Sequence, residues 1–233
     1  MGLFGPIIEK YLGEHAACVN GDVLDVGCGD KPYRFLFKSV KSYIGLDCPS
    51  EVDVARSNNS QRKRLLDVIG SAETIPFRDK SFDSVLATQL IEHLPHPAVF
   101  FTEASRVLRP GGYLIITFPL IGPLHEEPHD YFRFTEYGVQ ELCRQSGLQV
   151  EKIRKMGGGW LAIGYLAREF LYADSSNSKS YIGRKFFSLL GSLGYSFLSR
   201  LDRVDPHPEG TLNYLMVVRK SRQVVMSDIR ACE

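Results

Sequence analysis

The feature that most constrains this chain is an apolar run, Asp22 to Val26, that stops abruptly in the turn Gly27-Cys28-Gly29. A buried strand ending in two closely spaced glycines presents backbone N–H groups at the carboxyl edge of a sheet, where a ligand can approach because no Cβ stands in the way. Such a turn needs parallel strands beside it, and the sequence supplies them. Ser42 to Asp47 reads as a second strand, Arg64 to Val68 as a weak third, and Phe82 to Thr88 as a fourth. Gly112 to Phe118 is a fifth, launched from the turn Arg109-Pro110-Gly111-Gly112, and Leu148 to Arg154 and Asn213 to Arg219 complete the set. Ala98 to Leu108 has helical spacing. Thr135 to Ser146 does too, with Thr135 as N-cap and Gly147 as stop. Strands alternating with amphipathic helices predict an α/β fold, a Rossmann-like doubly wound sheet.

The connection between the last two strands is roughly 55 residues, far longer than connections usually are. It opens at Gly157-Gly158-Gly159 and holds two helix-like stretches, Trp160 to Tyr172 and Lys185 to Leu201, joined by the serine-rich Asp174 to Ser180. We expect one domain over residues 1–233, with residues 157–211 as a helical cap inserted in it. In the second stretch, Phe186, Leu190, Leu193, Phe197 and Leu201 form an apolar stripe, Ser188, Ser192 and Ser196 lie on the other face, and Arg184, Lys185, Arg200 and Arg203 flank it. That pattern suits a lid or homodimer element, or a peripheral membrane contact through residues 184–203. The tail from Ser221 to Glu233 has no apolar period and is expected to be loose.

Charge narrows the partners. Against 28 Lys and Arg stand 27 Asp and Glu, a net +1, which lacks the broad basic field of a nucleic-acid binder, so no nucleic-acid partner is expected. Five irregularly spaced cysteines offer neither a CxxC pair nor a disulfide framework. Glu9 and Lys10 interrupt the first apolar stretch, unlike a signal peptide, and the uncharged run Phe186 to Ser199 is shorter than the ~20 residues of a spanning helix. A cytoplasmic protein is expected.

The residues around the glycine turn select among ligands. A dinucleotide fingerprint would place a third glycine where this chain has Pro32. Instead, Asp25 precedes Gly27 by two residues and Asp47 ends the next strand. A carboxylate at that strand end can accept both hydroxyls of a ribose. The strings VLDVGCGD (Val23–Asp30), YIGLD (Tyr43–Asp47), SAETIPF (Ser71–Phe77), SFDSVLATQLIEHL (Ser81–Leu94) and LRPGGYLIITFP (Leu108–Pro119), in this order, resemble a class I S-adenosylmethionine-dependent methyltransferase. The resemblance runs from residue 22 to 154, with the final strand also in place, and it implies six parallel strands and one reversed near the edge. It implies S-adenosylmethionine as cofactor, with Gly27, Cys28 and Gly29 around the methionine part and Asp25 orienting their loop. Asp47 would hold the ribose, Ser71 and Ala72 would stand at the adenine edge, and Thr88 and Gln89 would flank the sulfonium. Ser71 departs from the aspartate that many relatives carry there.

The segment LHEEPHDYFRFT (Leu124–Thr135) leaves the fifth strand at the same sheet edge. A hydroxyl acceptor must lose a proton on methylation, and histidine is poised near neutrality to take it. His125 or His129 is therefore the candidate catalytic base, with Glu126, Glu127 or Asp130 setting its tautomer. Glu126, Tyr131 and Arg133 are the candidate acceptor contacts, Arg133 through its planar fork. The competing expectation makes His129, Asp130 and Arg133 an internal ion-pair network. The block also resembles a sub-branch of bacterial methyltransferases associated with cell-surface polysaccharide or other secondary biosynthesis. Glu92-His93 is part of a Glu-x-x-Glu-His metal pattern, but Gln89 replaces its first acid, and no metal is expected. The expected reaction is methyl transfer to a small-molecule, glycan-like or lipid-linked acceptor, at oxygen. N-methylation of an amine or amino sugar, or cofactor binding without chemistry, are the alternatives.

Overall fold

The computed structural model describes residues 5–48, 66–177, 181–207 and 209–222. Among the described residues, seven strands form one sheet: β1 (Asp22–Val26), β2 (Ser42–Asp47), β3 (Val68–Ile69), β4 (Phe82–Thr88), β5 (Leu108–Pro119), β6 (Leu148–Met156) and β7 (Asn213–Lys220). Their order is β3-β2-β1-β4-β5-β7-β6. β1 pairs in parallel with β2 and with β4, and β4 with β5. Only β7 runs backwards, antiparallel to both β5 and β6. The sheet is therefore the six-plus-one arrangement that the sequence implied.

Strand alternation divides the core into two layers. Val23, Leu86, Ile115, Leu215 and Val217 face one side, where α1 (Gly5–His15) buries Ile8 and Leu12 on them. Leu24, Val26, Val85, Ala87, Leu114 and Ile116 face the other. There, α2 (Pro97–Val107) supplies Phe100, Phe101 and Ala104, and α3 (Glu136–Gln145) supplies Val139 and Cys143. Pro97 starts α2 at a position where a missing N–H costs nothing. Thr135 caps α3 by accepting from the Gly138 amide at 3.1 Å, and Gly147, at φ +70°, lets the chain turn away after it.

Several boundaries differ from expectation. The third strand is Val68–Ile69, not Arg64 to Val68; residues 64 and 65 lie outside the described residues, as do 178–180 of the serine-rich joint and the tail from 223. β5 begins at Leu108, because Leu108 already pairs with Phe82 before the Arg109–Gly112 turn bulges out and pairing resumes at Ser84 with Tyr113. The link between β1 and β2 contains only a short 3₁₀ turn, Arg34–Leu36.

Between β6 and β7 stand α4 (Gly159–Asn177) and α5 (Tyr181–Val204). The Asp202 carboxylate, near the end of α5, accepts from the Gly158 and Leu161 amides at 2.9 and 3.1 Å, so one helix satisfies the start of the other. The helices approach closely at Gly164, where an added Cβ would sit 3.0 Å from Leu198 Cβ. Leu161, Ala162 and Tyr165 pack on Leu212, Ile7 and Ile121, which fixes the pair beside the loop after β5. Of the apolar stripe of α5, Phe186, Leu193 and Phe197 are each about 60% exposed, Leu190 is exposed too and Leu201 is half-buried; Leu189, beside the stripe, is about 60% exposed. Ser192 and Ser196 return their hydroxyls to carbonyls of their own helix, at 2.8 Å. No helix among the described residues is long and apolar enough to cross a membrane.

Candidate functional site

The glycine turn sits at the carboxyl ends of β1 and β4. Gly27 and Gly29 adopt φ +68° and +49°, a region that side chains make costly. Gly27 must also be small because the Leu90 side chain, just beyond β4, would lie 2.7 Å from any Cβ there. At Gly29 an added Cβ would meet nothing within 4 Å, so that side of the turn is an open cradle. Gly27 and Cys28 donate to the Leu46 carbonyl at 2.8 and 3.2 Å, which ties the turn to β2. Asp47 completes the cradle: its Oδ2 accepts from the Gly29 amide and its Oδ1 from the Cys48 amide, each at 2.7 Å. Each oxygen can accept a further bond.

Asp25 lies buried beneath the turn and accepts the Tyr43 hydroxyl at 2.6 Å, so it braces β1 against β2 from below. Burial pushes its carboxyl up to about 7 against the Tyr43 bond. Burial likewise pushes the Cys28 thiol up to about 12, which leaves a small filler and no nucleophile. Sequence reasoning missed Lys31 and Asp67. Lys31, at φ +52°, carries a buried ammonium 2.6 Å from Asp67 Oδ2, which also accepts from the Gly45 amide at 2.7 Å. The signal was the glycine in YIGLD: a Cβ on Gly45 would collide with the Lys31 and Cys28 side chains.

The next strand ends carry the remaining expected contacts. Ala72 is buried, and Ser71 Oγ accepts from the Glu73 amide at 3.1 Å in a tight turn after β3. Thr88 ends β4. Gln89, at φ +51°, donates its amide to the Thr117 carbonyl at 2.9 Å and its Nε2 to Thr117 Oγ1 at 3.2 Å, which fixes it against β5.

The loop after β5 is a latched structure. Asp130, its side chain 1% exposed, takes Arg133 Nη1 and Nη2 at 2.6 and 2.8 Å and the His125 amide at 3.0 Å. The Arg133 bond holds its carboxyl down at about 2. His125 Nδ1 lies 3.3 Å from Asp130 Oδ2. His129 Nδ1 lies 3.0 Å from the Tyr131 hydroxyl, and its carbonyl accepts from His93 Nδ1 at 2.7 Å. Tyr131 and Phe132 donate their amides to the Glu92 carbonyl. Arg133 Nη1 and Nη2 also donate to the Phe132 and Pro123 carbonyls, so both arms of its fork are engaged within the loop, while its Nε has no hydrogen-bond partner. Asp130, Arg133 and the His125 amide thus form the internal network, with His129 outside it. Glu126, at φ +54°, and Tyr131 are exposed on the loop's surface.

Glu92, the acid of the Glu92-His93 pair, has a wholly buried side chain, and neither oxygen has a hydrogen-bond partner. Burial pushes its carboxyl up to about 8. His93 Nε2 stands 3.9 Å from Glu92 Oε1, and the His93 and His125 rings meet edge to face at 4.8 Å.

A doubly wound sheet with an open glycine cradle beside a strand-end acid defines a nucleoside-binding Rossmann-like domain. Residues 24–116 match the model of the methyltransferase domain family. A fatty-acid O-methyltransferase of Mycolicibacterium smegmatis is 39% identical over 99 residues, 41% of this chain and 36% of that protein. A ubiquinone biosynthesis O-methyltransferase of Nitrosococcus oceani is 25% identical over 169 residues, 64% of this chain and 72% of that protein. The matches to the first mycobacterial relatives span between about a third and about half of those proteins' lengths. Among solved structures, the [4+2]-cyclase SpnF aligns with TM-score 0.59 at 20% identity, covering 92% of this chain and 80% of that one. The Haemonchus contortus phosphoethanolamine N-methyltransferase 2 bound to S-adenosylhomocysteine aligns with TM-score 0.57 at 18% identity, over 95% of this chain and 54% of that one. These likenesses show the fold. The family's cofactor is S-adenosylmethionine, and the open Gly29 cradle beside the Asp47 carboxylate fits it.

Proposed function

We propose that this protein transfers a methyl group from S-adenosylmethionine to a hydroxyl of a small-molecule, glycan or lipid acceptor. The observation that carries the reading is the juxtaposition of an open cradle at Gly29, gated by Asp47, with a histidine-rich loop at the same sheet edge. The bound cofactor supplies a methyl carbon on a sulfonium; the acceptor oxygen's electron pair forms the new C–O bond while the C–S pair returns to sulfur. The chain's task is alignment and proton removal. Gly27, Cys28 and Gly29 wrap the amino-acid tail, Asp47 takes the ribose hydroxyls, and Ala72 and Ser71 border the adenine. Asp25 acts on this site from beneath, through Tyr43 and the strand ends. Thr88 and Gln89 flank the sulfur, with Gln89 fixed by Thr117.

The acceptor's proton passes to the histidine pair. Asp130 stands at Nδ1 of His125 and Tyr131 at Nδ1 of His129, which orients each ring and leaves Nε2 for an acceptor. Residues 157–211 act as a cap on this side. The outward stripe Phe186, Leu189, Leu193 and Phe197, with Arg200 and Arg203 beyond it, supports an acceptor carried in a lipid surface, in keeping with the lipid substrates named for the mycobacterial relatives.

The test is incubation of the protein with methyl-labelled S-adenosylmethionine and a panel of hydroxylated lipids, glycolipids and free phenols. Label in an ether or ester product, lost in Asp47→Ala, is the expected result. Binding of S-adenosylhomocysteine without transfer to any hydroxyl, but with transfer to amines, would move the reading to N-methylation.

A further inference from the structure

Two acceptor atoms face one another at Glu92. The Nδ1 of His93 lies 2.7 Å from the His129 carbonyl, which can only accept, so Nδ1 carries the proton and Nε2 presents a lone pair. That lone pair faces Glu92 Oε1 across 3.9 Å, too far for a hydrogen bond between them. Glu92 is buried with both oxygens unpartnered, an arrangement that is costly unless something positive sits against it. His125 adds a third donor: one ligand atom each from Glu92, His93 and His125 lies within 4.8 Å of the others.

We propose that Glu92, His93 and His125 bind a divalent transition-metal ion of the zinc type beside the acceptor's place. Metal–ligand bonds of about 2.0–2.1 Å on either side of an ion can bridge the 3.9 Å between Glu92 Oε1 and His93 Nε2. His125, on the exposed loop with 43% of its side chain accessible, closes the remaining distance. One carboxylate and two imidazoles with a position left open is a donor set zinc accepts for chemistry. The supporting shell is already built. The His129 carbonyl orients His93, while Asp130 Oδ2 and the Pro123 carbonyl, each 3.3 Å from His125 Nδ1, direct its Nε2 away from the loop; Arg133 Nη2 lies at 3.4 Å. Glu126 Oε2, 4.0 Å from His93 Nε2, stands at the rim.

The ion's role rests on the methyl-transfer reading: the open position takes the acceptor oxygen and lowers its proton affinity, and His129, which is not a ligand, receives the proton. His125 then serves as ligand and not as base. The binding itself does not depend on that reading.

The experiment uses untagged protein stripped with a chelator. Zinc binding is measured by calorimetry, cobalt binding by its ligand-field absorption, and S-adenosylhomocysteine binding in a separate titration. One zinc per chain is expected, weakened ~100-fold or more in Glu92→Gln and in His93→Ala, with affinity for S-adenosylhomocysteine unchanged. Should Glu92→Gln fail to fold, His125→Ala, altered at an exposed position, carries the same expectation. Absence of zinc and cobalt binding up to millimolar concentration overturns the site, as does binding undiminished in the variants. Loss of S-adenosylhomocysteine binding in the parent protein would instead overturn the methyltransferase reading and leave the metal result standing.

Discussion

Asp130 and Arg133 are joined by two parallel hydrogen bonds of 2.6 and 2.8 Å, and the carboxylate they share is also the acceptor for the His125 amide. The pair therefore sets the backbone that carries the histidines. Asp130→Asn keeps the shape but removes the charge, and is expected to cost about 2 kcal/mol in a urea titration and to expose the loop to protease. Unchanged cleavage around residue 126 would show that the latch is dispensable.

Asp47→Ala removes the carboxylate between the turn and the ribose position. Affinity for S-adenosylhomocysteine is expected to fall ~10- to 100-fold by calorimetry, the range for hydrogen bonds to a charged group. Asp47→Asn should retain part of it, since the amide oxygen still accepts from Gly29.

Gly29→Ala tests the cradle. Nothing obstructs the new methyl group, so the cost is backbone strain at φ +49°, about 1–2 kcal/mol by thermal unfolding. The cofactor's tail would meet the methyl directly, and binding should fall further than stability does.

Asp25 makes stability depend on pH. Burial raises its carboxyl from 3.8 to about 7. Below the lower value both folded and unfolded chains hold the proton. Between the two values the unfolded chain ionises first, so this contribution is lost as pH rises through about 7. Relative to Asp25→Asn, the parent should lose about 2–4 kcal/mol between roughly pH 4 and pH 8. Urea midpoints of both proteins across that range check it, the readout being the difference in slope. Parallel curves would mean that Asp25 is already ionised in the fold at low pH.

Leu193→Glu with Phe197→Glu places charge on the outward stripe of α5. Flotation with anionic vesicles at low salt should be lost with little change in unfolding midpoint, because both side chains are exposed. A dimer in the parent that dissociates in the variant, with no vesicle binding by either, would assign the stripe to a second copy.

The sheet was legible because strand ends carry strong local signals. The apolar runs of β1, β4 and β5, the glycines after β1 and the Thr135 cap each act within a few residues, and each is where the sequence put it. The pairing of Leu108 with Phe82 was not legible, since a turn sequence inside a strand looks the same whether it precedes the strand or bulges from it. The site was only half legible. Asp47 and Gly29 could be placed because the strand pattern dictates where they emerge. For Arg133 the sequence left two readings open, an acceptor contact or an ion pair with Asp130, because which carboxylate a folded loop brings to a guanidinium is not a local property. Glu92 was legible as the neighbour of His93 but not as a buried group, because a carboxylate in a polar-looking turn reads as solvated. The apolar spacing of α5 was legible, whereas its close approach to α4 at Gly164, opposite Leu198, is a long-range relationship that no local pattern carries.

The two long helices grow from the link between β6 and β7, strands that lie beyond β5, on the far side of the sheet from β1 and β2. Lengthening, shortening or exchanging that link leaves the pairing of β1 with β2 and β4 untouched. On the proposed function the half that holds the donor can thus stay constant while the other half changes with the acceptor, and grafting the segment from a relative is expected to change the preferred acceptor while S-adenosylhomocysteine affinity stays the same.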